Sequence, residues 1–329
     1  MSRLRLGSGG PLVSRLCLGT WALSGLWGGQ IEPAVQAVRR AFDLGINFFD
    51  TAHAYGGGAA EAGLARGLGD LLRDHRSELV IATKGGLQNQ GSSVVRNSDP
   101  EFLRTSLVAS LRSLGTDYVD LFLVHWPDTT IPLAETAGVL AGFVEEGLVR
   151  RVGVSNFTVG QMAEFGPVAV AQVPYSLLAR HIEHETLPYC QAAGVPVMGW
   201  SPLAHGLLTG ALRPGHAFAH DDWRAYSPVF QGDRFATAVA VVDRLAAFAA
   251  DRGISIAQLA LAWVLHHPAA VVPVVGAQVP EHLEDSLRAL GVRLSEADLA
   301  ELDQIVADAP PVLPDVEPPS RAPTIADAS

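Results

Sequence analysis

Four ionisable side chains stand at the C-terminal ends of three apolar runs: Asp50 and Tyr55 in FFDTAHAYG, Lys84 in VIATKGG, and His125 in VDLFLVHWPD. A carboxylate, a phenol, an ammonium and an imidazole gathered at one point suit proton transfer to a carbonyl oxygen. Reducing an aldehyde or ketone builds negative charge on that oxygen, which must be protonated or held by donors as it forms. Tyr55 is the candidate acid. Free tyrosine titrates at about 10, so near neutrality it needs a neighbour that favours the phenolate, and an ammonium does so by opposite charge. Lys84 fits that role, Asp50 would fix Lys84 and keep it charged in a partly buried site, and His125 would donate a hydrogen bond that aligns the carbonyl. Taken singly, each has an ordinary reading: a turn cap, a solvated surface charge, a satisfied core residue. It is their recurrence at successive run ends that sets them apart.

Each run is short, rich in Val, Ile, Leu and Phe, and bounded by Gly, Pro or polar residues, as buried strands are. LCLGTWA, VRRVGVS, AVAQVPYS, VPVMGWS and VVPVVGA share that character. Between them lie helical patterns. EPAVQAVRRAFDLG ends at Gly45 and PEFLRTSLVASLRSLG at Gly115, glycines suited to a left-handed cap. Ser98, with Glu101 three residues on and Pro100 in the first turn, predicts a capping box at the start of the second helix. About eight strand and helix units predict an α/β fold, a closed (β/α)8 TIM barrel whose strand ends converge on one active site. A doubly wound sheet would carry G-x-G-x-x-G in its first turn, and neither GTWALSGLWGG nor Gly56, Gly57 and Gly58 provides that spacing.

The expected organisation is one barrel domain over residues 1–309 and an irregular Pro-rich tail over 310–329. A long connection over 203–235, after the seventh strand, carries His205, Gly206, Arg213, Trp223, Tyr226, Phe230 and Arg234 and is the expected cover for a ligand. The chain has 329 residues, 48% hydrophobic, with no uninterrupted apolar stretch of membrane-spanning length. That composition, and an N-terminus MSRLRLGSGG without an apolar signal core, predicts a soluble cytoplasmic protein without a membrane partner. The net charge of -11 argues against a nucleic-acid partner. Cys17 and Cys190 are too few for a disulfide framework and read as small packing residues.

These motifs, together with VGVSNF, QVPYSLL, WSPLAHGLLTG and PVVGAQVPEHLEDSL, resemble the aldo-keto reductase superfamily over nearly the whole chain. The resemblance implies an NAD(P)H-dependent enzyme that reduces an aldehyde or ketone to an alcohol, or the reverse, with Asp50, Tyr55, Lys84 and His125 as its catalytic tetrad. It also implies a nicotinamide dinucleotide bound in extended form over the barrel mouth. Thr20, Trp21 and Asp50 would lie near its reactive end. Ser155, Asn156 and Gln172 would hydrogen-bond the nicotinamide amide, and Trp200 would stack on the ring. Ser201, Pro202, Leu203 and Gly206 would approach the pyrophosphate. Gly276, Ala277 and Gln278, with Pro280, Glu281 and His282 at a helix start, would surround the adenosine end, and Glu284 and Asp285 would follow.

One departure from the family pattern concerns the cofactor. Relatives that prefer NADPH commonly carry Lys or Arg just after the glycine matching Gly276, whereas this chain has Ala277, Gln278 and Val279. NADP(H) is expected from family habit, with NAD(H) a serious competitor, and Arg234, His282 or the helix N-terminus could compensate for the missing clamp. The substrate is a small carbonyl compound or alcohol, walled by Trp21, Trp27, Tyr55, Trp126 and Phe157. Two other classes fit some of these residues: a cofactor-binding regulatory subunit without useful turnover, and a metal-dependent lyase or hydrolase using Asp50, His53 and His125. The complete tetrad speaks against the first. No H-x-H or H-E-x-x-H spacing supports the second.

Overall fold

Residues 3–26, 30–91, 93–220 and 222–312 are described by the structure, a computed structural model; Trp27 and the tail beyond 312 lie outside them. The chain opens with an antiparallel hairpin of β1 (Arg3–Arg5) and β2 (Leu12–Ser14). The next strands are β3 (Cys17–Gly19), β4 (Phe48–Asp50) and β5 (Val80–Gly85), followed by a second hairpin of β6 (Leu87–Gln90) and β7 (Ser93–Arg96). Then come β8 (Val119–Val124), β9 (Val149–Ser155), β10 (Ala171–Pro174), β11 (Val197–Trp200) and β12 (Val272–Gly276). Among the described residues β3, β4, β5, β8, β9, β10, β11 and β12 close into a parallel barrel, with β12 paired back onto β3. This is the (β/α)8 barrel that the alternation predicts.

Side chains alternate across a strand, so every second residue faces the barrel interior. Phe48, Val80, Ala82, Leu121, Leu123, Val170, Met198 and Val272 form one buried cluster, while Leu18, Phe49, Ile81, Phe122, Val173 and Val275 belong to another with the helices. Continuing the interior series by two residues reaches Asp50, Lys84, His125, Gln172 and Trp200. Apolar packing deep in the barrel thus fixes the register that sends the polar groups to its mouth.

Two local expectations need correction. The helix Pro100–Leu114 is capped by Asp99, whose carboxylate accepts from the backbone N–H groups of Glu101 and Phe102; Ser98 lies one residue too early. Pro100 then occupies the first helical position, where its missing N–H is no loss. The long connection runs from Ser201 to Gln231 and contains short 3-10 turns, so Arg234 sits in the first turn of the helix Gly232–Ala250 instead of in the loop. There Arg234 donates to the Pro311 carbonyl, and the Val312 N–H donates to the Leu178 carbonyl. Residues 311 and 312 are thus tied to that helix and to the segment after β10. No helix among the described residues is long and apolar enough to cross a membrane.

Helix Ile31–Asp43 packs against helix Ala59–Leu68 through Gly67, where an added Cβ would come 2.5 Å from Val38 Cβ and 2.8 Å from the Val35 carbonyl oxygen. Alanine would raise helix propensity by about 1 kcal/mol, but overpacking costs about 1 to 3 kcal/mol and a backbone carbonyl cannot step aside. Gly67→Ala is expected to lower the melting temperature by a few degrees. A thermal melt that stays level or rises would mean that the helices separate freely here.

Candidate active site

β4, β5, β8 and the turn after β4 bring the four expected side chains together. Lys84 is fully buried and its ammonium has three acceptors: Asp50 Oδ2 at 2.7 Å, the Thr51 carbonyl at 2.9 Å and the Tyr55 hydroxyl at 3.3 Å. The Tyr55 ring meets Trp21 edge-on at 4.8 Å between centroids and His125 at 5.6 Å. Burial alone would lower the Lys84 pKa, yet Asp50 and the phenol together leave it above its ordinary value, so the ammonium stays charged. For Tyr55, burial dominates and raises the phenol above its ordinary value, while Lys84 pulls it part of the way back. The ammonium acts in the direction foreseen, but the net shift has the other sign. Burial, with the Lys84 charge adding to it, holds the His125 imidazole well below its ordinary value, so it is neutral near pH 7. The site thus presents a protonated phenol beside a fixed cation and a neutral imidazole, an arrangement able to give a proton to an oxygen and steady the phenolate left behind.

The rim around these groups is conformationally restricted. Asn156, Ser201, Ala204 and His205 all have positive φ, of 62°, 55°, 47° and 55°. Such conformations cost about 1 to 3 kcal/mol each in non-glycine residues and gather where ligands are clamped. Asn156 is held by its side chain, which donates to the His125 carbonyl and Ser155 Oγ and accepts from Trp200 Nε1 at 3.1 Å. The His205 segment is held from outside: Arg224 donates to the His205 carbonyl at 3.0 Å and is bidentate to buried Asp222. A Cβ on Gly206 would press on that guanidinium at 3.3 Å.

Comparison with known proteins resolves what this barrel is. The Aldo/keto reductase family model matches residues 15–307. The chain belongs to that family. The aldo-keto reductase YhdN of Bacillus subtilis (strain 168) is 35% identical, covering 94% of this chain and 96% of its own. The NADH-specific methylglyoxal reductase of Escherichia coli (strain K12) is 33% identical over 91% of this chain and 96% of its own. The glycerol dehydrogenase AKR11B4 from Gluconobacter oxydans has a solved structure that superposes with a TM-score of 0.81 at 33% identity, covering 95% of this chain and 96% of that one. This aldo-keto reductase is therefore an NAD(P)-dependent oxidoreductase that acts on carbonyl compounds. Neither the regulatory subunit nor the metal-dependent barrel finds support, and among the described residues no group of three or more His, Cys, Asp or Glu is placed to hold a metal ion.

The mouth of the reductase fits a nicotinamide dinucleotide by its unspent hydrogen-bonding capacity. Among the described residues Thr20 Oγ1, Trp21 Nε1 and His125 Nδ1 are buried without a hydrogen-bond partner, as are Ser110 and Thr136 in the outer helices, and at the mouth that capacity could be taken up by a bound group. At the far end, helix Pro280–Arg288 starts without a side-chain cap, leaving N–H groups for a phosphate. Gly276 and Gln278 are exposed there and Ala277 is buried. Other expected contacts are already engaged within the fold. Ser201 Oγ accepts from the His205 N–H, Glu284 is paired with Arg40 at 2.6 Å, and Asp285 accepts from Ser255 and Gln258. Gln172 donates to Asp50. Trp126 is half-buried with the Arg96 guanidinium over its ring, and Phe157 is buried with its ring against Phe165.

Sequence reasoning missed the supports behind the reductase site. Glu61 is fully buried, accepting from Thr83 Oγ1 at 2.6 Å and facing His53 Nδ1 at 3.4 Å. Its clue was available: Glu61 shares the helix stripe of Leu64 and Leu68, three and seven residues on. The Asp222 and Arg224 clamp had only the pair spacing in DWR to announce it.

Proposed function

We propose that Asp50, Tyr55, Lys84 and His125 carry out the carbonyl reduction, with Tyr55 giving the proton. The observation behind this reading is the Lys84 ammonium, which touches the Asp50 carboxylate and the Tyr55 hydroxyl at once in a buried site. When bound, the nicotinamide supplies the hydride. The chain's own groups do the rest. Tyr55, protonated near neutrality, releases its proton to the carbonyl oxygen, and Lys84 steadies the phenolate that remains. His125, being neutral, donates an N–H to the same oxygen and orients it. Thr20, Trp21, Trp200 and the segment 201–206 would hold the cofactor over the mouth, with residues 276–282 at its adenosine end.

We propose further that the reductase discriminates weakly between NADPH and NADH. No cation follows Gly276, and the Arg40 guanidinium that reaches the helix after it is taken up by Glu284. The relative from Escherichia coli is named as NADH-specific. Fluorescence titrations with NADPH and NADH should give affinities within about tenfold of each other. Gln278→Arg should then favour NADPH by the roughly 1.5 to 3 kcal/mol of a hydrogen bond to a charged group. Strong NADPH preference in the unaltered protein, unmoved by the substitution, would place the phosphate elsewhere, with Arg234 and His282 next to test. Methylglyoxal and glycerol, named for two relatives, make small oxygenated aldehydes and alcohols the first substrate panel.

A further inference from the structure

Gln172, the inward residue of β10, is 2% exposed, and its Nε2 crosses the barrel to Asp50 Oδ1 at 2.8 Å. Lys84 holds the other oxygen of the same carboxylate at 2.7 Å. The two donors come from different strands, so Asp50 cannot rotate about its Cβ–Cγ bond without losing one of them. Around this pair the interior is apolar or weakly polar, with Cys17, Phe48 and Met198, whose sulfur lies 3.8 Å from Gln172 Nε2. From Gln172 an unbroken hydrogen-bonded chain runs through Asp50 and Lys84 to the Tyr55 hydroxyl.

We propose that Gln172 is a positioning residue for proton transfer: by occupying one oxygen of Asp50 it limits that carboxylate's hold on Lys84 and so leaves the ammonium free to stabilise the Tyr55 phenolate. The role is separate from contact with the nicotinamide amide, for which Gln172 Oε1 is still at hand, and it rests on the reading of Asp50, Lys84 and Tyr55 given above. A carboxylate that loses a donor on one oxygen concentrates its charge on the remaining partner. Lys84 would be drawn towards Asp50 and away from the phenol, and Tyr55 would ionise at higher pH. The ionisable groups facing this chain are Cys17, Asp50, Tyr55, Lys84 and His125; burial keeps the Cys17 thiol and the His125 imidazole uncharged near neutrality.

Two variants test it. Gln172→Met removes the donor at similar length, and Gln172→Glu donates the same bond when protonated but repels Asp50 when ionised. The first readout needs no turnover: the alkaline phenolate absorbance of the cofactor-free protein, taken as a difference from the same protein carrying Tyr55→Phe, with circular dichroism confirming the fold. Gln172→Met should raise the Tyr55 midpoint by about half a pH unit or more. The second readout is kcat against pH at saturating reduced cofactor. Gln172→Met should move the basic limb up and slow turnover about tenfold, whereas Gln172→Glu should approach wild-type turnover at acid pH and lose it as the new carboxyl ionises. If either variant folds and keeps both the Tyr55 midpoint and the basic limb, with only cofactor affinity weakened, Gln172 serves the nicotinamide alone and the proposal fails. A shifted midpoint in a protein that reduces no carbonyl would instead overturn the catalytic reading and leave the coupling standing.

Discussion

Tyr55→Phe is expected to lower carbonyl reduction by at least about a hundredfold, the usual contribution of a positioned acid, with cofactor affinity little changed. The substitution removes one oxygen. The ring contacts with Trp21 and His125 are made by the aromatic edge and face, which phenylalanine keeps. Lys84 retains Asp50 and the Thr51 carbonyl, so no buried charge is stranded. Steady-state rates and a cofactor titration on the same preparation separate chemistry from binding. Wild-type turnover of a confirmed substrate by this variant would remove Tyr55 from the mechanism. The pH dependence has a fixed sign. Reduction needs the protonated phenol, and burial places its pKa above about 10, so the rate should hold through neutrality and fall only in alkaline solution.

Lys84→Met should slow the reaction by a comparable factor and also weaken the fold. Methionine matches the length of the side chain but leaves the Asp50 carboxylate, 4% exposed, with Gln172 as its remaining side-chain donor. Breaking a buried pair from one side typically costs about 3 to 5 kcal/mol. The group that lowers the Tyr55 pKa is lost while burial and Asp50 continue to raise it, so the basic limb of the rate profile should move up. The stability effect has its own pH window. Because the folded-state pKa of Lys84 is raised, its contribution is fully present below the unfolded value of about 10.4 and fades as pH rises through the folded one. Chemical denaturation at pH 7 and a rate profile test the two halves separately. A folded variant with normal rate and an unmoved basic limb would make Lys84 purely structural.

How much of this was legible beforehand depends on the range of the forces involved. The barrel followed from local pattern, because burial of strands on both faces dictates unbroken apolar runs and alternation with helices dictates parallel pairing. Asp50, Tyr55, Lys84 and His125 were visible for the same reason: a polar residue ending an apolar run is a local event. Asp99, which caps the helix in place of Ser98, differs from it by one residue of backbone geometry that spacing does not resolve.

Other features arise from contacts across the barrel that no local pattern carries. Gln172 and Asp50 are 122 residues apart, and only barrel closure sets the amide against the carboxylate. Phe157 and Phe165 meet edge to face with centroids 5.6 Å apart, a contact set by the helix that separates them and not announced by their spacing. Arg234 carries a charge suited to phosphate, but a helix start and the returning C-terminal segment engage it. The net direction of the Tyr55 shift was decided by the same closure. Sequence supplies the ammonium that lowers it, but the depth of burial that outweighs the ammonium exists only once eight strands have shut the site away from water.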